Sequence, residues 1–173
     1  QQERVRLIGR HVLDNWPVPL KGYRYRFHVI DEEMVNAFAV PTGYIFFTRG
    51  MLDSLETDEE LEAIMAHEIA HVESRHTYRQ WRNSQNVSRW VGIASALAGV
   101  SDTVIDDLAT AMLSLTTNIF MAGHGRDRER EADMFASFYL THRDIGDQPL
   151  ENVFKKLKFS TDAVNPFGGG GGL

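Results

Sequence analysis

"ELEAIMAHEIAHVESRH" (Glu60–His76) sets three histidines among alanine, isoleucine, methionine and valine. A polar side chain surrounded by apolar neighbours needs a partner that offsets the loss of water. Thr57 and Glu60 have the spacing of a capping box, which predicts a helix beginning at Asp58. Leu61, Ile64, Met65 and Ile69 give that helix an apolar stripe. On it, His67 and His71 lie four residues apart, so both imidazoles project from one face. That spacing suits a single Zn²⁺ held at about 2.0–2.1 Å. Glu68 follows the first histidine and stands beside the metal as a base rather than a ligand. By chance, 7 histidines in 173 residues would produce H-E-x-x-H about 0.02 times, so the motif is specific.

A catalytic zinc has three protein ligands and keeps its fourth position open. The metzincin continuation, H-E-x-x-H-x-x-G-x-x-H, does not fit. Ser74 stands in place of its glycine, Thr77 in place of its histidine, and His76 falls one residue short. A second block, "GRDREREADMFASFYL" (Gly125–Leu140), supplies Glu129 and, four residues on, Asp133. On one helix face, Glu129 can reach the metal while Asp133 holds the second N–H of a histidine ligand. Against this stands the plain solvated helix start that "RDRERE" also describes. His124 competes as a ligand, but its glycine-flanked position favours Glu129, and Glu131 should face elsewhere.

The composition is that of a globular domain, with 43% hydrophobic and 24% charged residues, and 173 residues predict one domain spanning 1–173. A net charge of −6 argues against a nucleic-acid partner. Without cysteine, disulfides, thiolate ligands and a cysteine nucleophile are excluded. The opening "QQERVRLIGR" lacks the apolar core of a signal peptide. The most apolar run, Trp90–Val100, is about half the ~20 residues needed to span a bilayer, and it reads as a buried helix.

Around the two blocks, Gln1–Trp16 reads as a helix stopped by Pro17 and Pro19, with Val5, Ile8, Val12 and Leu13 inward. Tyr23, Tyr25, Phe27 and Val29 alternate with polar residues as a strand with one buried face. Pro41–Gly43 reads as a turn between a short strand and a second one, Tyr44–Thr48. Residues 80–122 read as one or two helices broken near Gly99–Asp102, either folded over a cleft or forming an ordinary hairpin. Gly123 and Gly125 mark a turn before a helix, Arg126–Arg143, with Ala132, Phe135, Ala136 and Tyr139 inward. A last helix is predicted over Leu150–Phe159, followed by a flexible or incomplete tail from about 160 to 173. The expected class is α+β, mainly α-helical, with a small N-terminal β-sheet.

Together, "NAFAVPTGYIFFTRGMLD", "ELEAIMAHEIAHVESRH" and "RDREREADMFA" resemble the HtpX-like and CAAX-prenyl-protease-like zinc metallopeptidases, a gluzincin family. The resemblance covers about Phe27 to Leu140, with the three blocks in the family's order. It implies a zincin-like fold and a zinc endopeptidase with one Zn²⁺ per chain, held by His67, His71 and Glu129. Glu68 would be the base and Asp133 a support to the site. Lacking spanning helices, the chain is similar to the soluble, envelope-associated bacterial members, which implies a periplasmic or membrane-associated location and peripheral contact with a membrane. The Thr-His-Pro-like segment found in many members after the third ligand is absent beyond Tyr139.

The expected substrate is an unfolded or extended polypeptide lying along an exposed edge at Tyr44–Thr48, with Tyr44, Ile45 and Phe46 in contact and Asn36 as an anchor. A core strand with both edges paired is the alternative for that segment. Tyr44, Asn36, His124, Tyr139 and His142 are the possible donors to an oxyanion. Three other functions compete with a quality-control endopeptidase. A deformylase is excluded by the missing cysteine ligand. A chaperone-like or autoinhibited zinc protein is disfavoured by the intact Glu68. A metal-free helical interaction module is the third.

Overall fold

The structure is a computed structural model, and it describes residues 1–76, 78–79 and 126–164. The elements within it are α1 (Gln2–Asp14), β1 (Arg26–Ile30), β2 (Ala37–Ala39), β3 (Tyr44–Thr48), α2 (Arg49–Ser54), α3 (Asp58–Glu73), α4 (Arg126–His142) and α5 (Gln148–Val164). The described residues are thus mostly helical with a small N-terminal sheet, as the sequence predicts. The helices expected within 80–122, the turn with His124 and the end of the tail lie outside the described residues.

α3 begins where its cap dictates. Thr57 Oγ1 accepts from the Glu60 N–H at 3.2 Å. The return half of the box is shifted by one residue, because Glu60 Oε2 accepts from the Glu56 N–H at 2.7 Å. The same carboxylate takes Lys156 Nζ at 2.7 Å and so ties α5 to the start of α3. More than one stripe of α3 is buried: Ala63, Ala66 and Ala70 are as enclosed as Leu61, Met65 and Ile69. It is the central helix, packed against α1, α4, α5 and β2. Small residues on α3 and on α4, where Ala132 and Ala136 are fully buried, let the two helices approach closely.

The sheet order is β1-β3-β2. β3 runs parallel to β1, in register from Arg26 opposite Tyr44 to Ile30 opposite Thr48. It runs antiparallel to β2, with Phe38 opposite Phe46. β1 starts three residues later than the alternation implies, since β3 begins at Tyr44 and offers Tyr23–Tyr25 no partner. The two tyrosines still pack in series on Phe27, and Tyr25 donates to Glu73 Oε1 at 2.7 Å.

On the sheet's inner face Phe27, Ile45, Phe47 and Ala39 join the core with α3. On the other face His28, Tyr44, Phe46 and Phe38 stack in a row. Gly43, at φ +91°, closes the β2–β3 turn in a conformation open to glycine.

α2 is an element that the sequence reading did not anticipate. Thr48 Oγ1 caps it by accepting from Met51 N at 3.1 Å. Gly50 is required there, because any Cβ would collide with the backbone carbonyl of Glu33.

The outer edge of β1 is closed by a side chain. Gln2 Nε2 donates to the Phe27 carbonyl at 2.8 Å, and Val29 N–H donates to Gln2 Oε1 at 2.9 Å. Among the described residues no strand pairs with the outer edge of β2.

Candidate metal centre

His67 and His71 leave α3 one turn apart, and Glu129 reaches them from the first turn of α4. The two Nε2 atoms are 3.0 Å apart, and Glu129 Oε2 lies 3.4 Å from one and 3.5 Å from the other. Three donors on one zinc ion at 2.0–2.1 Å with tetrahedral angles would be about 3.3–3.4 Å apart. The triangle therefore has the size of such a site, and its donor set of two imidazoles and a carboxylate suits zinc.

Two nitrogen lone pairs and a carboxylate oxygen pointed at one another repel unless a cation or a proton sits between them. With no cation bound, the neighbouring carboxylates favour a proton there. Burial alone would lower the proton affinity of His67, but Asp133 and Glu129 outweigh it and raise the pKa to about 10. Glu129, though desolvated, is held well below the usual carboxylate range by the two imidazoles.

Asp133 Oδ1 is 3.0 Å from His67 Nδ1, and among the described residues neither atom has another partner. The contact is close but not well aligned as a hydrogen bond. Asp133 is thus where a carboxylate must be to hold the ring's second nitrogen.

Glu68 is buried and close enough to His67, His71 and Glu129 to feel their charge, and its carboxylate accepts from the Ala39 N–H of β2. Burial, with Glu129 nearby, raises its proton affinity above that of an ordinary glutamate, although His67, His71 and the Ala39 N–H oppose the rise. A carboxyl group so poised is suited to receive and return a proton.

Two more residues complete the cluster. His76 is not the ligand that the sequence offers as a possibility, and Glu131, which faces elsewhere than the donor triangle as expected, has a partner that the sequence does not reveal. His76 Nδ1 lies 3.2 Å from His71 Nδ1, and His76 Nε2 lies 3.1 Å from Glu131 Oε2. Arg75 makes this possible: at φ +55° it reverses the chain just past the end of α3 and returns His76 to the helix. An arginine in that conformation has no signature that a sequence reading could have used.

Other expectations need correction. Tyr44–Thr48 is the central strand, bonded on both sides, so it has no free edge for a peptide. Its uniformly apolar run, "YIFFT", buries both faces rather than one. Ile45 is in the core, while Tyr44 and Phe46 point to the sheet face away from α3, with the Tyr44 hydroxyl taken by Arg26 at 2.9 Å. Asn36 is tied by its backbone to Thr48, immediately before β2.

Tyr139 is also not available as an oxyanion donor. It stacks on Trp16 and donates to Glu62 at 2.9 Å. His142 lies about 20 Å along α4 from Glu129 at 1.5 Å per residue.

Comparison with known proteins gives an observation independent of this geometry. Residues 1–163 match Peptidase family M48. Mitochondrial metalloendopeptidase OMA1 of Arabidopsis thaliana is 26% identical over 149 residues, covering 86% of this chain and 29% of that protein. Metalloprotease YcaL of Escherichia coli is 28% identical over 142 residues, covering 80% of this chain and 53% of that protein. A putative beta-barrel assembly-enhancing protease of Vibrio cholerae is 29% identical over 140 residues, covering 77% and 28%. The chain thus spans from under a third to about half of the length of these relatives. A family match over nearly the whole chain joins the converging histidines and carboxylates in one conclusion: the chain belongs to peptidase family M48.

Proposed function

We propose that the chain is a zinc-dependent endopeptidase that cleaves unfolded or misassembled polypeptides in the bacterial envelope. The observation that carries this reading is the donor triangle of His67, His71 and Glu129 with the buried Glu68 beside it. When bound there, zinc would supply Lewis acidity toward a water molecule and a peptide carbonyl. Glu68 would take the proton of the attacking water and pass it to the leaving amine. Asp133 would hold His67 with its Nε2 lone pair toward the ion.

An extended substrate would lie along the outer edge of β2, from Asn36 to Ala39, instead of along β3. Main-chain hydrogen bonds at that edge tolerate many sequences, as suits an unfolded substrate. The same strand donates its Ala39 N–H to Glu68, which would bring the scissile bond to the base. The relatives named as beta-barrel assembly-enhancing proteases support a role in envelope quality control. No helix among the described residues is long and apolar enough to cross a membrane.

The test compares the zinc-loaded wild type with Glu68→Gln on casein. The variant should keep its zinc and its fold while turnover falls by about 10²–10⁴. Wild-type turnover by Glu68→Gln, or casein left intact by the zinc-loaded wild type, would overturn the proposal.

A further inference from the structure

We infer that His76 and Glu131 form a positioning relay that fixes the tautomer and orientation of His71, a counterpart on the second ligand of what Asp133 does for the first. This inference rests on the zinc reading of the site. The two contacts are His71 Nδ1 to His76 Nδ1 at 3.2 Å and His76 Nε2 to Glu131 Oε2 at 3.1 Å. His76 cannot itself be a fourth ligand, because it meets His71 on the ring nitrogen opposite to the Nε2 that faces the donor triangle.

The proton count allows one arrangement. With its Nε2 lone pair turned to a cation, a neutral His71 carries its hydrogen on Nδ1 and is a donor there. His76 Nδ1 must then accept, which places the single hydrogen of His76 on Nε2. That hydrogen points at Glu131, a carboxylate that can only accept when ionised. Each partner thus dictates the tautomer of the next, from Glu131 through His76 to His71.

Burial makes the order binding. His76 is almost wholly enclosed, at 1% exposure, so water cannot substitute for either partner. The carboxylate end is anchored by α4, the helix that carries Glu129 and Asp133. One helix therefore supplies a ligand and the anchors for both histidines. The rings of His71 and His76 meet at 70°, edge to face, which leaves the Nδ1 atoms opposed rather than stacked.

The experiment measures zinc affinity by competition with a chelator, together with the visible spectrum of the Co²⁺-substituted chain and the melting of the zinc-free chain. His76→Phe keeps the volume and removes the acceptor, and zinc affinity should weaken by about 10–100-fold. His76→Asn is smaller and leaves a polar group in the core, but its carbonyl stands near the lost Nδ1. It should bind zinc more tightly than His76→Phe while its zinc-free form melts lower. Glu131→Leu should also weaken zinc, and Glu131→Gln, which retains an acceptor, should lie between it and the wild type. The cobalt spectrum should change in His76→Phe and not in Glu131→Gln.

A merely structural histidine predicts the reverse order, with Phe the milder change in both readouts. That order, or zinc affinities of His76→Phe and Glu131→Leu equal to the wild type, would overturn the relay. A wild type that takes up no zinc would instead overturn the reading of the site itself, so the two failures are distinct.

Discussion

Zinc affinity should climb steeply with pH, and Asp133 should set where the climb ends. Nε2 of His67 cannot hold a proton and a metal ion together. In the metal-free chain burial works against the proton, but Asp133 at 3.0 Å and Glu129 at 3.4 Å raise the pKa to about 10. At about pH 7.5 that proton lies some 2.5 pH units below release, which at about 1.36 kcal/mol per unit is roughly 3.4 kcal/mol set against zinc. Apparent affinity should therefore rise about tenfold per unit between pH 7 and 9 and level off near 10.

The stability of the metal-free chain has the opposite sign. A folded pKa above the unfolded value stabilises fully below about 6.5, and the gain is lost as pH rises through about 10. Melting of the zinc-free chain should fall across the window in which zinc affinity grows. Asp133→Asn removes the nearest anion with little change of volume. The break in the affinity curve should move to lower pH, and the plateau should drop by about 10–100-fold, since the second ring nitrogen loses its carboxylate. Chelator competition at a series of pH values, beside melts of the zinc-free protein, reads both effects. A flat affinity curve over this range, or an identical curve for Asp133→Asn, would refute the reasoning.

Gly50→Ala should destabilise the chain by about 1–3 kcal/mol in urea unfolding, against the usual gain for alanine in a helix, because its Cβ meets the Glu33 carbonyl. Thr57→Ala should cost about 1 kcal/mol in the same assay by leaving the Glu60 N–H without its cap, and it should leave zinc affinity unchanged.

What could be read from the sequence was local. The start of α3 was legible because Thr57 and Glu60 carry the cap in their own side chains. The convergence of His67 and His71 follows from helical spacing alone. Glu129 and Asp133 were legible as a pair on one face, but their approach to α3 depends on packing through Ala132 and Ala136. Strand order was not legible, since a parallel β1–β3 pairing joins segments that do not adjoin in the chain. "YIFFT" did carry a signal of two-sided burial, and an edge strand was the wrong inference from it. His76 was out of reach because its position depends on the left-handed turn at Arg75. α2 was hidden because its cap, Thr48, also ends a strand.

The amide of Gln2 has a consequence for assembly. A sheet exposed at both edges is a unit that can repeat, since each added strand presents a fresh edge to the next copy. A sheet exposed at one edge can only terminate: it takes one strand, or pairs with one copy, and growth stops. By filling the donor and acceptor of Phe27 and Val29 on β1, a single side chain removes one of the two ends. Among the described residues β2 keeps the other, with only its Ala39 N–H taken, by Glu68, and no strand paired along it. Among its described residues, a domain built this way has no second end from which its own sheet could grow into an open-ended stack. Among the described residues the sheet's capacity for added strands is one, and it is limited by two hydrogen bonds on the side opposite to β2.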